Sequence, residues 1–280
     1  MRVNFMNELV YAFRKCRSEM RTAIIPFITA GDPSPAWTIR IVETLAEEGA
    51  SVIELGVPFS DPIADGVTIQ ASSERALRSG VKLKETLKIA RECREECGLP
   101  IVLLSYLNPL YRMGLSNFFE QASSAGISGV IVPDLPIEEA GEFIEMAKRH
   151  GVSTIFLASP TTSDERLERI VKSSTGFVYL VSVKGVTGAR ERISEDAFIL
   201  IRRARRIAGR PPIAVGFGVS SPAHVEMLAK AGSEGVIIGS ALIKVIEQNL
   251  TDINKCLDML KNFIRPIIEV SRIDNYTLWE

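Results

Sequence analysis

Histidine is nearly absent from this chain: His150 and His224 are the only two in 280 residues. His150 closes one helical pattern and His224 stands near the start of another, so both read as surface or capping residues. Proton transfer then falls to carboxylates, with Tyr179 as a further candidate. No G-x-S-x-G elbow occurs and no base stands beside Ser60 or Ser240, which removes support for a serine nucleophile. Cysteine is scarce too, at Cys16, Cys93, Cys97 and Cys256. Cys93 and Cys97 share a helix face, but a structural zinc site needs four clustered ligands and neither histidine completes one. These thiols read as packing groups, and reduced thiols suit the cytoplasm. Without a metal-ligand constellation, magnesium-assisted phosphoryl transfer is disfavoured.

An excess of either charge is also missing, with 33 Lys and Arg against 34 Asp and Glu. A nucleic acid or an anionic membrane therefore finds no overall electrostatic attraction, and any anion site must be local. No apolar run approaches the roughly 18 residues of a transmembrane helix, and charges interrupt the first 21 residues where a signal peptide needs an apolar stretch. The expectation is a cytoplasmic protein.

What the chain does contain is a repeated architecture of a short apolar run, a polar loop and an amphipathic helix. Eight such runs appear, at 23–28, 52–56, 101–106, 129–132, 153–157, 177–181, 213–216 and 235–238. Near-continuous apolarity marks strands buried on both faces. Between them lie helical patterns such as Ala36 to Glu48, Ile137 to His150 and Pro222 to Ala231, each followed by the glycine expected past a helix end. No linker divides the sequence. Eight strand–helix units of roughly 30 residues predict an α/β fold, a (β/α)8 TIM barrel, as a single domain over 1–280. Residues before Ala23 predict an additional N-terminal helix plugging the barrel's N-terminal end. An open doubly wound sheet is the alternative, but no G-x-G-x-x-G follows the first strand.

Barrel chemistry sits at the C-terminal strand ends, and the unusual residues cluster there: Glu54 late in strand two, Asp65 in the next loop, Tyr106 and Asn108 after strand three, Asp134 after strand four, Tyr179 within strand six. A glutamate inside the run Val52-Ile53-Glu54-Leu55-Gly56 should have its pKa raised by desolvation, while Asp65 on a wetter loop stays ionised beside it. Two carboxyl groups in unlike surroundings form a candidate acid/base pair; a structural salt bridge from Glu54 to an arginine is the competing reading. Three successive loops, Lys184 to Gly188, Gly216 to Ser220 and Gly239 to Leu242, are rich in glycine and hydroxyl groups. Their backbone N–H groups, and the helix opening at Gly239-Ser240, suit a phosphate monoester.

These motifs together resemble the tryptophan synthase α subunits. The resemblance spans nearly the whole chain and rests on Pro26-Phe27-Ile28-Thr29-Ala30-Gly31-Asp32-Pro33, on Glu54-Leu55-Gly56-Val57-Pro58-Phe59-Ser60-Asp61-Pro62 with Ala64-Asp65-Gly66, on Gly185-Val186-Thr187-Gly188, and on Gly216-Phe217-Gly218 with Gly239-Ser240. It implies a lyase without a cofactor that cleaves indole-3-glycerol phosphate to indole and glyceraldehyde 3-phosphate. Glu54 would act as acid and then base, and Asp65 would accept from the indole N–H. Phe27, Leu104, Ile131 and Tyr179 would wall the indole. Gly188, Gly218, Gly239 and Ser240 would hold the phosphate, and Thr187 would orient Asp65. A pyridoxal-phosphate-dependent β subunit in an α2β2 assembly is the implied partner, met by Pro58 to Asp61 with Phe59 as an exposed anchor. Pro133 departs from the small residue expected there, and the tail 273–280 matches no pattern. A free-standing lyase, and a non-catalytic subunit that binds the ester and regulates a partner, are the competing functions; intact Glu54 and Asp65 argue against the latter.

Overall fold

The computed structural model describes residues 7–181, 193–207, 209–216 and 218–272. The chain enters through α1 (Glu8–Ser18), β1 (Ala23–Thr29), α2 (Pro35–Glu47) and β2 (Ile53–Gly56). The next crossover uses two helices, α3 (Val67–Arg78) and α4 (Leu83–Cys97), before β3 (Ile101–Leu104). Helices α5 (Leu107–Met113) and α6 (Leu115–Ser124) lead to β4 (Ile127–Ile131), and α7 (Gly141–Arg149) to β5 (Ser153–Ile155) and β6 (Leu157–Ala158). The second half runs α8 (Asp164–Ser173), β7 (Val178–Val181), α9 (Glu195–Arg205), β8 (Ile213–Gly216), α10 (Pro222–Lys230), β9 (Gly235–Ile238), α11 (Ser240–Glu247) and α12 (Ile253–Val270).

Every strand pair is parallel, in the order β5-β4-β3-β2-β1-β9-β8-β7-β6. The two ends of this order are halves of one predicted strand. β5 pairs with β4 and β6 with β7, and only Phe156 separates them. At the break, the Phe156 N–H donates to Ser174 Oγ at 3.2 Å and its carbonyl accepts from Tyr179 N at 3.1 Å. Eight runs thus become nine strand segments while the ring still closes through Phe156, giving the expected (β/α)8 TIM barrel. A second difference lies in the predicted helix Ile137 to His150. It begins as a 3-10 turn, Ile137–Glu139, and α7 starts only at Gly141, beyond Ala140.

Register sorts the strand residues by face. Phe27, Glu54 and Val102 stand in one inward row, and Gly56, Leu104, Ile131 and Ile155 in the next. Residues between them, such as Ile53, Leu55 and Leu103, face the helices and are fully buried. This two-sided burial is why the strands read as continuous apolar runs.

The additional helix is present, and it fills the N-terminal end of the barrel. Asn7 caps α1 by accepting from Leu9 N and Val10 N, and its Nδ2 donates to Ser153 Oγ and the Thr175 carbonyl, both at 2.7 Å. Leu9 and Phe13 enter spaces that side chains would otherwise occupy. A Cβ on Gly129 or Gly176 would lie 2.8 or 2.7 Å from Leu9 Cδ1, and one on Gly235 2.7 Å from Phe13 Cε1. Phe13 also packs on Phe177 with ring centroids 5.6 Å apart. Phe13→Ala is expected to cost about 3–5 kcal/mol, read as a lower denaturation midpoint. An unchanged midpoint would show that the plug does not support the barrel.

Candidate active site

Glu54 is placed by β2 with its side chain inside the barrel mouth, 1% exposed. Among the described residues neither carboxyl oxygen has a hydrogen-bond partner or a paired arginine, so the competing salt-bridge reading finds no support there. Burial pushes its pKa up to about 8, with the nearby Asp65 charge adding to the shift. The group is a neutral acid at neutral pH, able to give up a proton and take it back.

Asp65 reaches the same space from the loop between β2 and α3. Its surroundings differ from those read from the sequence. Burial raises its pKa too, and a hydrogen bond from the Tyr106 hydroxyl opposes the rise. The loop itself stays largely exposed, at Ser60, Asp61, Ile63 and Ala64, while Asp65 is half-buried and its carboxyl lies near Glu54 and Tyr179. Tyr106 organises the loop, since its oxygen accepts from Ala64 N at 3.0 Å and its ring stacks on Phe59 at 5.2 Å and 28°. Gln70 Nε2 donates to the Asp65 carbonyl at 2.7 Å, fastening the aspartate to the first turn of α3. The sequence marks Tyr106 only by its place after strand three. A strand-end tyrosine facing an acidic loop is a sequence signal, but one too common to act on without the contact.

Phe59 therefore corrects one expectation. It is half-buried on Tyr106 rather than an exposed anchor, and the large exposed apolar side chains of this segment are Ile63 at 82% and Val67 at 74%. His224 is likewise buried rather than on the surface, and its Nδ1 accepts from Ser220 N at 3.4 Å near the start of α10.

Tyr179 points inward from β7 and feels the charges of both Glu54 and Asp65. Burial first, then those charges, hold its pKa well above the usual tyrosine value, so it stays a neutral hydroxyl. Gly216 makes room for it, because a Cβ there would stand 2.6 Å from Tyr179 Oη. Gly56 does the same for Phe27, whose ring would lie 2.8 Å from a Cβ. Phe27 also borders Gly239, at 3.2 Å from a Cβ placed there. Phe27, Leu104, Ile131 and Tyr179 thus share the inward face around Glu54. Gly239 and Ser240 open α11, whose N-terminal N–H groups are unsatisfied within the helix. Gly218, at φ +57°, leaves the adjacent β8 with open space at its Cα. Thr187 and Gly188 lie outside the described residues, as do Phe217 and the tail 273–280.

A closed parallel barrel with a neutral buried acid and a second carboxyl at its C-terminal mouth is the layout of a TIM-barrel enzyme working by acid–base chemistry. Residues 13–271 match the family model described as tryptophan synthase alpha chain. The alpha chain of Pyrococcus abyssi is 52% identical over 227 residues, covering 81% of this chain and 91% of that protein. That of Synechocystis sp. is 42% identical over 262 residues, covering 94% and 98%. Among solved structures, the tryptophan synthase α2β2 complex of Pyrococcus furiosus contains a chain that superposes with TM-score 0.83 at 47% identity, covering 89% of this chain and 99% of that one. A Mycobacterium tuberculosis tryptophan synthase chain gives 0.87 at 34%, covering 95% and 99%. The chain belongs to the tryptophan synthase alpha chain family.

Glu54 also makes stability depend on pH. Its ordinary value of 4.5 rises to about 8 on folding, so between those values the folded chain keeps a proton that the unfolded chain releases. Stability therefore falls as pH rises through this window, and the penalty is complete above about pH 8. Glu54→Gln removes the penalty. Its denaturation midpoint should gain on the parent as pH goes from 5 to 8.5, by an amount corresponding to a few kcal/mol. A gap that stays constant with pH would show that Glu54 ionises normally.

Proposed function

We propose that Glu54 and Asp65 are the acid–base pair of the reaction this family performs. The chain is a carbon–carbon lyase of tryptophan biosynthesis and cleaves indole-3-glycerol phosphate to indole and glyceraldehyde 3-phosphate. The observation that carries the residue assignment is the buried, unpartnered Glu54 carboxyl beside Asp65 and Tyr179. Neutral Glu54 gives its proton to C3 of the indole ring. The resulting carboxylate then takes the proton of the glycerol hydroxyl next to that carbon. The C–H bond at C3 forms, the carbon–carbon bond breaks, and its electron pair returns to the ring while the hydroxyl carbon becomes the aldehyde. Glu54 ends protonated, as it began. Asp65, steadied by Tyr106, accepts from the indole N–H as positive charge develops on that nitrogen.

Phe27, Leu104, Ile131 and Tyr179 wall the indole in this reading. Gly218, Gly239 and Ser240, together with Gly188, hold the phosphate, and Thr187 closes over Asp65. The helix dipole at the head of α11 supports the phosphate placement. The partner is a pyridoxal-phosphate-dependent β subunit in an α2β2 assembly, as in the Pyrococcus furiosus complex. Ile63 and Val67, rather than Phe59, are the apolar side chains this segment offers it. The described residues include no helix long and apolar enough to cross a membrane, and the cytoplasm is the proposed location. Residues 1–280 form one barrel domain in this reading.

Glu54→Gln should abolish indole release while substrate affinity changes little, and Asp65→Asn should cost at least about 100-fold in kcat. Indole release from indole-3-glycerol phosphate measures both. More than a tenth of the parent kcat in Glu54→Gln would remove Glu54 from the acid–base role.

Closure of the Asp65 loop excludes water and completes the site, so a partner seated on that loop should raise kcat without adding a chemical group. Indole release with and without a cognate β subunit, at saturating substrate and confirmed assembly, should differ by up to roughly 100-fold. Equal rates would instead support the free-standing lyase.

A further inference from the structure

Helix α3, which begins two residues after Asp65, lacks the apolar underside usual for a barrel helix. Its buried side chains are Thr68, Ser72, Ser73 and Ala76, and Ile69 and Leu77 are only half-buried. Burial of large apolar side chains normally seats such a helix; here directional polar contacts replace it. Three positions one turn apart, Ser72, Arg75 and Ser79, reach the end of β1 and the loop after it. Ser72 Oγ gives its proton to the Ile69 carbonyl at 2.7 Å and accepts from Thr29 Oγ1 at 2.6 Å. Ser79 Oγ stands 3.0 Å from the Gly31 carbonyl and 2.9 Å from the Ala76 carbonyl of its own helix, which compete for its one proton.

Arg75 is the strongest of the three. Its Nε and Nη2 grip the buried Asp32 carboxylate at 2.7 and 2.9 Å, and its Nη1 donates to Glu247 Oε1 at 3.0 Å. The fork joins α3 both to the β1 loop and to the last residue of α11. Glu247 stands where a helix dipole disfavours negative charge, a departure from the local rule that the guanidinium offsets. Helix α11 is itself firmly seated by Leu242, Ile243 and Ile246, all essentially buried, so it serves as a fixed post. Burial raises the Asp32 pKa and the Arg75 pairing opposes the rise.

We propose that Arg75, held by Asp32 and Glu247, is a positioning residue that sets the height and tilt of α3 and thereby the aim of Asp65. The inference rests on the proposed role of Asp65. Lysine keeps the charge but cannot make a three-way planar fork, and a misplacement of about 1 Å at a reacting group is worth up to roughly 100-fold in rate.

The test uses the full chain saturated with its β partner. Arg75→Lys should lower kcat for indole release at least about 10-fold. Its KM, and inhibition by glycerol phosphate, should stay within about twofold, because the phosphate and indole pockets remain on seated elements. Glu247 is 43% exposed, so Glu247→Ala keeps the fold and should show a smaller loss, about threefold in kcat. In an Asp65→Asn background both penalties should vanish, since groups acting through one another are not additive. Parent-like kcat in Glu247→Ala and Arg75→Lys, or penalties of unchanged size in the Asp65→Asn background, would overturn the positioning role. Full activity of Asp65→Asn alone would instead overturn the assignment of Asp65.

Discussion

The site depends on keeping a carboxyl group dry. Glu54 sits among inward apolar side chains, and the described residues offer neither a cation nor a hydrogen-bond donor to stabilise its ionised form, so its proton is retained near neutrality. An arginine within reach would favour the carboxylate and leave Glu54 charged at neutral pH. The barrel instead tolerates an uncompensated acid in its core, and its other features supply what that requires. Two-sided burial of the strands and the α1 plug at the N-terminal end keep water from the barrel interior, and the loop after β2 brings Asp65 beside Glu54.

Space for these groups is made by removing side chains elsewhere. Phe27 occupies volume vacated at Gly56 and lies against Gly239, while Tyr179 occupies that of Gly216. At the opposite end, Leu9 and Phe13 use the volume left by Gly129, Gly176 and Gly235. An interior of small radius cannot hold inward side chains from every strand at every level, so large groups and glycines alternate around it. Glycines that look like turn residues are in several cases the counterpart of an aromatic ring on a neighbouring strand.

The loop after β2 is held by one aromatic hydroxyl and by a helix with an almost wholly polar underside. Tyr106 stacks on Phe59, accepts from Ala64 and donates to Asp65. These contacts are directional and individually modest, unlike the apolar burial that seats α11. An element attached in this way has a defined position that a few contacts can shift, which suits a segment that must cover the substrate and then release it.

Much of this was legible in the residues themselves. Apolar runs at even spacing mark parallel strands buried on both faces, and eight of them in alternation with amphipathic helices fit the barrel; an open doubly wound sheet would bury the same faces, so the closing of the ring is seen only in the strand pairing. A glutamate embedded in such a run announced an unusual carboxyl, since burial alone sets the direction of its pKa shift. Only the tertiary structure decided the break at Phe156, the interruption at Ala140, the hydrogen bond of Tyr106 to Asp65, the pairing of Phe59 with Tyr106 and the joining of Asp32, Arg75 and Glu247. Each of those rests on contacts between residues distant in the chain or on the local fit of backbone to the closing ring. Periodicity reports which face a residue prefers; it carries no record of which partner stands opposite.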